Sequence, residues 1–286
     1  MLAVLESLKL STEFLEKKGI ESPRLNAELL LAEILNCKRL DLYLKFDRPL
    51  DENEITKYRQ WISRRGKFEP LQYIIGKVEF YGLQFKVTPD VLIPRQETEI
   101  LVEETIKFCK EKSGLKILDI GTGSGNIPIS LSKNLSDVEI VAIDVSEKAI
   151  QVANENAELN EVKPKIQFIV YDINNFSAGA ELFDVVVSNP PYVSAKEYPN
   201  LQNEIIQYEP DIAVTDLNDG LHFYKVIAER SKLFLKKGGK IFLEIGQGQM
   251  EDVAQILSEN NFVNIQLTKD FQQVDRVIAG ELKCER

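Results

Sequence analysis

A glycine-rich motif is the first stretch whose residue types and spacing could do chemistry. It consists of Gly121, Thr122, Gly123, Ser124 and Gly125. Glycine lets the backbone turn tightly and lets a ligand lie against the main chain, and the helix predicted after the motif offers unpaired N–H groups at its start. Position 126 is asparagine, so the third glycine of the dinucleotide fingerprint G-x-G-x-x-G is missing. The motif therefore predicts a cradle for a nucleoside cofactor without a pyrophosphate, and it disfavours a dehydrogenase.

An acidic side chain follows the next apolar run, at 138–143. Asp144 lies roughly 20 residues beyond the glycines, where a carboxylate can accept hydrogen bonds from both hydroxyls of a ribose. Glycines alone are equally typical of an ordinary strand–turn–helix unit. Because the strand pattern, the helix pattern and the spaced acid occur together, a cofactor site is favoured and Asp144 is the predicted ribose ligand.

A second motif, Asn189-Pro190-Pro191-Tyr192, directly follows a buried strand pattern at 183–188. Neither proline has a backbone N–H, and Pro190 holds Asn189 out of the helical region, so the motif presents hydrogen-bond acceptors. The side-chain carbonyl of Asn189 and the backbone carbonyl of Pro190 could bind the two hydrogens of an amino group, while Tyr192 could lie against a planar amide or base. The same residues could instead form a stiff loop with a packed tyrosine.

The two carbonyl acceptors at Asn189 and Pro190 predict nucleophilic attack by an amino nitrogen. A nitrogen whose lone pair is delocalised into a carbonyl or ring is a poor nucleophile, and two acceptors can orient it and stabilise the positive charge that appears as it attacks a carbon. The nitrogen loses its proton only after the new bond forms, so no strong base is required. His222, the single histidine, is interpreted as a partly buried helix residue.

The elements that would position both motifs alternate between strands and helices. Strand patterns lie near 116–120, 138–143, 166–170, 183–188, 240–245, 262–267 and 275–280. With helical patterns between them, they predict an α/β fold with a seven-stranded, mostly parallel sheet covered on both faces. In such a sheet ligands bind outside the carboxyl ends of the strands. Gly238 and Gly239 predict the end of the helix before the fifth strand.

The N-terminal part predicts a small helical bundle. Pro23 suits a first helical position, and Asp51 with Glu54 predicts a capping box at the start of a later helix. A strand–glycine–strand pattern at 78–87 predicts a hairpin. We therefore expect a helical substrate-binding domain at 1–75, a hairpin linker at 76–95 and a catalytic α/β domain at 96–286.

The composition excludes several classes of protein. The chain has 286 residues, of which 44% are hydrophobic, as expected for a globular core. No apolar run reaches the roughly 18 to 20 residues of a membrane span, and the start lacks a signal peptide pattern, so we expect a cytoplasmic protein with no membrane partner. Cys37, Cys109 and Cys284 are widely spaced, which argues against a disulfide framework and a zinc site. A net charge of −10 disfavours direct nucleic-acid binding, although a local basic patch stays open.

Taken together, these motifs resemble the HemK/PrmC family, the peptide chain release factor glutamine methyltransferases that use S-adenosylmethionine. The segment 91–99, Val-Leu-Ile-Pro-Arg-Gln-Glu-Thr-Glu, is similar to the I-P-R-P-E-T-E segment of that family. The resemblance continues at Asp219-Gly220-Leu221, Glu244-Ile245-Gly246, Lys269-Asp270 and Asp275-Arg276-Val277, and it covers essentially the whole chain. Gln96 stands where the family usually has proline, and Gln273 where it usually has glycine. Both departures concern local loop geometry.

The resemblance implies methyl transfer from S-adenosylmethionine, which leaves S-adenosylhomocysteine. The acceptor would be the side-chain amide nitrogen of the glutamine in the Gly-Gly-Gln motif of bacterial class I release factors, with an effect on translation termination. Carried over by position, the cofactor residues would be Gly121 to Gly125 for the methionine part, Asp144 for the ribose, and Asp172 and Ile173 bordering the adenine. The catalytic motif would be Asn189, Pro190, Pro191 and Tyr192, with Asn189 also next to the cofactor.

Several further residues keep two interpretations. Arg95 and Glu97 would shape the wall over the cofactor or form the salt-bridged start of a helix. Asp119 would reach the ammonium group of the cofactor or cap the loop. Glu244 and Gly246 are equally consistent with structural and functional roles.

Two other functions compete with the one implied by the resemblance. The first is methylation of an amino group on a base of DNA or RNA, which could use the same motif on an unpaired base. The negative charge and the lack of a basic or aromatic-rich recognition domain disfavour it. The second is a non-catalytic adaptor with a vestigial cofactor fold, which the two intact motifs disfavour. We expect a monomer whose partner is a release factor.

Overall fold

The structure is a computed structural model that describes residues 2–175 and 182–284. The chain forms two compact units. The first consists of Met1–Gly76 and Gln202–Tyr208, and the second of Lys77–Leu201 and Glu209–Arg286. The hairpin segment, expected to be a linker, is therefore part of the second unit, and a short piece of the later chain is part of the first.

Helices and strands follow one another along the described residues. The α-helices are α1 Val4–Lys17, α2 Pro23–Ile34, α3 Asp41–Leu44, α4 Glu52–Arg65, α5 Leu71–Ile75, α6 Thr98–Cys109, α7 Asn126–Asn134, α8 Glu147–Leu159, α9 Asn203–Tyr208, α10 Asp211–Val214, α11 His222–Ser231 and α12 Met250–Glu259. The strands are β1 Lys77–Phe80, β2 Leu83–Lys86, β3 Leu115–Ile120, β4 Val138–Asp144, β5 Ile166–Val170, β6 Phe183–Ser188, β7 Leu235–Glu244, β8 Phe262–Lys269 and β9 Asp275–Leu282.

The first unit is a helical bundle, as its sequence predicts. Asp51 accepts a hydrogen bond from the Glu54 N–H and Glu54 accepts one from the Asp51 N–H, so the capping box is confirmed. The helix α9 joins this bundle through polar contacts: Arg65 forms an ion pair with Glu204 at 2.9 Å, and the Tyr208 hydroxyl donates to a backbone carbonyl at 2.9 Å. Arg65 is itself buried, which favours a fixed geometry for this ion pair.

The second unit is built on the expected sheet, and the predicted fold class is confirmed. In the described residues the strand order is β5-β4-β3-β6-β7-β9-β8. Strands β3 to β7 pair in parallel, whereas β9 is antiparallel to both β7 and β8. From β3, the chain adds β4 and β5 on one side of the sheet and then β6 and β7 on the other. This change of direction leaves a crevice at the carboxyl ends of β3 and β6, where ligands bind in open sheets.

The predicted role of the glycine pair before the fifth strand is wrong. The helix α11 ends at Ser231, and Gly238 and Gly239 lie inside β7. The pairing of β6 with β7 jumps from Phe183–Leu235 to Val185–Lys240, so β7 carries a bulge. Gly238 has a φ of +77° in this bulge. Positive φ favours glycine in a bulge as it does at the end of a helix.

The β1–β2 hairpin packs beside the glycine-rich motif. Asn156 of α8 is fully buried, and its Nδ2 donates to the backbone carbonyls of Lys86 at 3.0 Å and Ser124 at 2.9 Å. Its Oδ1 accepts from the Lys86 N–H at 2.6 Å. One asparagine therefore satisfies three backbone groups and fixes the hairpin against the loop that precedes α7.

Candidate active site

A cavity of about 300 Å³ lies at the carboxyl ends of the parallel strands, within the second unit. The sequence-predicted residues that line it are Gly121, Gly123, Asp144, Asp172, Ile173, Asn189, Pro190 and Pro191. The fold thus brings residues that are up to 70 positions apart in the sequence, from 121 to 191, to one cavity. Parallel strands achieve this because each strand delivers the loop after it to the same edge of the sheet.

Other predicted site residues do not line the cavity. Thr122 and Ser124 are buried beneath the loop. Gly125 is the residue before α7, and a Cβ there would lie 3.0 Å from Ile129 Cδ1 and 3.1 Å from Ala153 Cβ. Of the five residues of the motif, Gly121 and Gly123 therefore line the cavity, while the other three pack within the fold.

Positive φ angles explain the three alternating glycines. The values are +74° at Gly121, +53° at Gly123 and +80° at Gly125, a region that residues with a side chain rarely adopt. The backbone N–H groups of Gly121 and Thr122 both donate to the carbonyl of Ile143, at 2.9 and 3.0 Å. The loop after β3 is thereby held against the end of β4.

Asp144 is oriented by two backbone hydrogen bonds. Its Oδ2 accepts from the Gly123 N–H and its Oδ1 from the Ser146 N–H, both at 2.9 Å. Burial raises the pKa of Asp144, and these two bonds oppose the rise. A carboxylate fixed in this way at the cavity wall keeps further lone pairs that can accept hydrogen bonds from two hydroxyl groups.

Asp119, at the end of β3, is a buried carboxylate without a partner. Neither of its oxygens has a hydrogen bond among the described residues, and the same is true of the Thr122 hydroxyl. Burial raises the pKa of Asp119 to about 7; the Thr122 hydroxyl opposes the rise, and the Asp144 carboxylate adds to it. A buried carboxylate of this kind is costly unless a cation or a donor approaches it. Both interpretations of Asp119 stay open, because the Thr122 hydroxyl of the glycine loop favours its ionised form although neither carboxylate oxygen has a hydrogen bond among the described residues.

Asn189 presents one end of its side chain to the cavity and the other to α6. Its Nδ2 donates to Thr98 Oγ1 at 3.1 Å, and its Oδ1 accepts no hydrogen bond from the described residues. Thr98 is buried at the start of α6. Asn189 thus lines the cavity with its Nδ2 bound to Thr98, and its role as an acceptor stays a prediction.

Tyr192 is not among the residues that line the cavity, and its hydroxyl contacts Glu244 at the end of β7. Its hydroxyl donates to Glu244 Oε1 at 3.4 Å, and Glu244 is 1% exposed. Burial raises the pKa of Glu244 to about 7, while Thr98, Arg276 and Tyr192 favour its ionised form. The side chain of Tyr192 thus supports the proline loop from behind.

Gln249 is a residue that the sequence reasoning missed, and it joins three segments. Its Nε2 donates to the carbonyls of Tyr192 at 2.9 Å and Gly220 at 3.3 Å, and its Oε1 accepts from the Gly246 N–H at 2.9 Å. A Cβ at Gly220 would lie 2.5 Å from Tyr192 O, and one at Gly246 would lie 2.7 Å from Gln249 Oε1. Both glycines therefore permit close approach of these segments, which gives Gly246 a structural role.

Glu209 is a second missed residue, and it is the partner of Arg95. Arg95 Nη2 lies 2.5 Å from Glu209 Oε1, and the Glu209 side chain is 2% exposed. The segments next to this pair line the cavity at Asp90, Val91, Leu92, Pro210, Ile212 and Ala213. Arg95 therefore fastens two cavity walls to each other, whereas Glu97 is exposed. The sequence offers no signal for a pair separated by 114 positions.

The part of the chain that the structure describes contains no helix long and apolar enough to span a membrane.

Both units of the chain are matched by models of known protein families. The family model described as the PrmC N-terminal domain matches residues 6–76, and the model described as a methyltransferase domain matches residues 111–279. A methyltransferase from Pyrococcus furiosus shares the fold, with a TM-score of 0.52, 18% identity, and coverage of 71% of this chain and 90% of that one.

Curated relatives extend the similarity over nearly the whole length. A release factor glutamine methyltransferase from Fusobacterium nucleatum subsp. nucleatum is 42% identical over 95% of this chain and 77% of its own. One from Geobacter sulfurreducens is 39% identical over 94% of this chain and 93% of its own. The resemblance seen in the sequence motifs is thereby confirmed, and the chain belongs to the family of release factor glutamine methyltransferases.

Proposed function

We propose that this chain transfers a methyl group from S-adenosylmethionine to the side-chain amide nitrogen of the glutamine in the Gly-Gly-Gln motif of bacterial class I release factors. The observation that carries the proposal is the position of Asn189. Asn189 lines the same cavity as the glycine loop and Asp144, and its Oδ1 accepts no hydrogen bond from the described residues. Family membership supports a release factor glutamine as the acceptor, because the relatives are named release factor glutamine methyltransferases.

The residues at the cavity fit the proposed cofactor. Asp144 suits the ribose hydroxyls, Asp172 and Ile173 suit the edge of the adenine, and the loop from Gly121 suits the methionine part. Asp119, buried and without a hydrogen-bond partner, suits the positive ammonium group at that end. When bound, the cofactor supplies a methyl group made electrophilic by a sulfonium.

Asn189 and Pro190 would act on the substrate amide rather than on the cofactor. Two carbonyl acceptors that bind both hydrogens of the NH2 group hold its nitrogen in one orientation and stabilise the positive charge that develops on it. The cofactor would supply the methyl group, its sulfur would keep the electron pair of the broken bond, and the amide nitrogen would then release one proton to solvent. No residue has to remove a proton before the attack.

The helical unit would hold the release factor. Support comes from its match to the PrmC N-terminal domain, which has its own hydrophobic core. A cytoplasmic monomer that contacts no nucleic acid directly stays a prediction.

Incubation with a labelled methyl donor tests the proposal. The purified protein is offered a release factor, a transfer RNA and a DNA duplex in parallel, and the labelled residue is mapped by mass spectrometry. We expect label on the glutamine of the Gly-Gly-Gln motif and none on nucleic acid. Label on a base would establish the alternative function, and label on no substrate, despite cofactor binding, would favour a non-catalytic adaptor.

A further inference from the structure

The side-chain amide of Gln249, directly before α12, lies outside the cavity lining and is bonded on both of its sides. Its Nε2 donates to the backbone carbonyl of Tyr192 at 2.9 Å and to that of Gly220 at 3.3 Å. Its Oε1 accepts from the Gly246 N–H at 2.9 Å. One amide therefore connects the last residue of the proline motif with the turn that follows β7.

The backbone groups around this amide allow only one orientation. The carbonyls of Tyr192 and Gly220 can only accept hydrogen bonds, and the N–H of Gly246 can only donate one. If the amide were turned over, its oxygen would face two carbonyl oxygens and its NH2 group would face an N–H. The polarity of Gln249 is thus fixed by the main chain, which makes its contact with Tyr192 specific.

Two glycines leave space for the amide and for little else. A Cβ at Gly220 would lie 2.5 Å from Tyr192 O and 2.9 Å from Gln249 Nε2. A Cβ at Gly246 would lie 2.7 Å from Gln249 Oε1 and 3.0 Å from Tyr192 Cδ2. Because both approaches are closer than a side chain would permit, the three segments are packed directly on the Gln249 amide.

The proline motif depends for its position on the residues at its two ends. Its two prolines have no backbone N–H, so they donate no hydrogen bond that could hold them. At the first end, Ser188 Oγ donates to the carbonyl of Ile120 at 2.7 Å and ties β6 to β3. At the second end, Gln249 holds the carbonyl of Tyr192. The carbonyl of Pro190 lies between these two anchors.

We propose that Gln249 is a positioning residue for methyl transfer, which acts by holding the carbonyl acceptors of Asn189 and Pro190 in place through Tyr192. This inference rests on the proposed function and deepens it, because it assigns to the reaction a residue that does not line the cavity. Two acceptors stabilise the charge that develops on the amide nitrogen only when both lie at hydrogen-bond distance from it. A shift of the motif by about 1 Å therefore lowers the rate, while the cofactor residues on other loops keep their places.

Gln249→Glu and Gln249→Met form the pair of variants for the test at pH 8. Glutamate keeps the shape, and since a carboxyl of ordinary pKa is ionised at this pH, it sets oxygen against the Tyr192 carbonyl. Methionine keeps the length and removes both polar atoms. The matched controls are Gln255→Glu and Gln255→Met, because Gln255 is an exposed residue of α12 that bonds only locally, to Glu259 at 2.8 Å.

Each variant is assayed for kcat and KM with a release factor and for its cofactor Kd, at a temperature at which its thermal unfolding curve shows it folded. For both Gln249 variants we expect a kcat about tenfold lower, with KM and cofactor Kd within about threefold of the wild type. Both Gln255 variants should keep all three values within about twofold. Unchanged kcat in the Gln249 variants, or a rise in cofactor Kd as large as the fall in kcat, would overturn the inference.

Combination of Gln249→Met with Asn189→Ala distinguishes positioning from a general loss of structure. If Gln249 acts through the motif, its replacement matters less once the Asn189 acceptor is gone, and kcat should fall by no more than about threefold in that background. Independent effects would multiply, so a further tenfold loss in the double variant would overturn the inference. Absence of glutamine methylation by the wild-type protein would instead overturn the proposed function, before any variant is compared.

Discussion

Replacing Asp119 with asparagine should stabilise the ligand-free protein above neutral pH. Burial raises the pKa of this carboxyl from 3.8 to about 7. Since one pH unit corresponds to about 1.36 kcal/mol, the ionised carboxylate destabilises the fold by about 4 kcal/mol at pH 8. Asparagine carries no charge but leaves buried polar atoms unsatisfied, at a cost of about 1–3 kcal/mol. The expected net gain in the free energy of unfolding is therefore about 2 kcal/mol.

This gain should depend on pH in a defined direction. Between the ordinary pKa of 3.8 and the folded-state pKa of about 7, the folded protein keeps a proton on Asp119 that the unfolded chain has released. The free energy of unfolding therefore falls as pH rises through this window, and the destabilisation is complete above it. Near pH 4 the carboxyl is neutral in the folded protein, so asparagine should bring no gain there.

Urea unfolding without cofactor, at pH 5 and at pH 8, measures both quantities. Asp47→Asn is the matched control, because Asp47 is exposed and its replacement should change neither value. Adding S-adenosylmethionine should then reduce the advantage of the variant, since the proposed ammonium contact is lost and cofactor Kd should rise about tenfold. Equal gains at the two pH values, or no gain at pH 8, would refute the reasoning from burial.

Three other substitutions separate the remaining roles. Asn189→Ala should lower kcat about 100-fold with cofactor Kd unchanged, because the side chain of Asn189 is proposed to contact mainly the reacting amide. The control is Asn154→Ala, on a helix outside the cavity lining. Normal turnover of the Asn189→Ala variant would contradict a role of Asn189 in binding the amide. Asp144→Ala should raise the cofactor Kd at least about tenfold in a calorimetric titration, and an unchanged Kd would argue against ribose binding. Gly125→Ala should lower the free energy of unfolding by about 1–3 kcal/mol in a denaturant titration, because alanine must adopt a φ of +80° there, and a Tm equal to that of the wild type would contradict this.

The fold and the location of the two motifs in it could be predicted because each depends on short-range patterns in the sequence. Strand and helix patterns have fixed periods, and glycine at alternate positions has few other uses than a turn with positive φ. Asp144 could be placed because its distance from the glycines follows from the length of one strand–helix–strand unit. Cavity contact by Gly121, Gly123 and Asn189 followed from the rule that ligands gather at the carboxyl ends of parallel strands.

The partners of the motif residues could not be predicted in the same way. Thr98 meets Asn189 across 91 positions, and Gln249 meets Tyr192 across 57. Such pairs depend on how elements pack, and a single sequence carries no signal of it. The mistaken end of a helix at Gly238 has a different cause, because a bulge in β7 and a helix end both place glycine at positive φ.

Two buried carboxyls, each with a pKa raised to about 7, stand near the two functional motifs. Asp119 lies directly before the glycine loop, and Glu244 lies behind the loop that carries Asn189. Each destabilises the fold at neutral pH, since burial disfavours its charge and at least one of its oxygens has no hydrogen bond among the described residues. A fold selected for stability alone would replace both with neutral side chains. The presence of Asp119 is explained if it provides a charge for the cofactor, so that stability lost in the ligand-free protein is recovered when the cofactor binds.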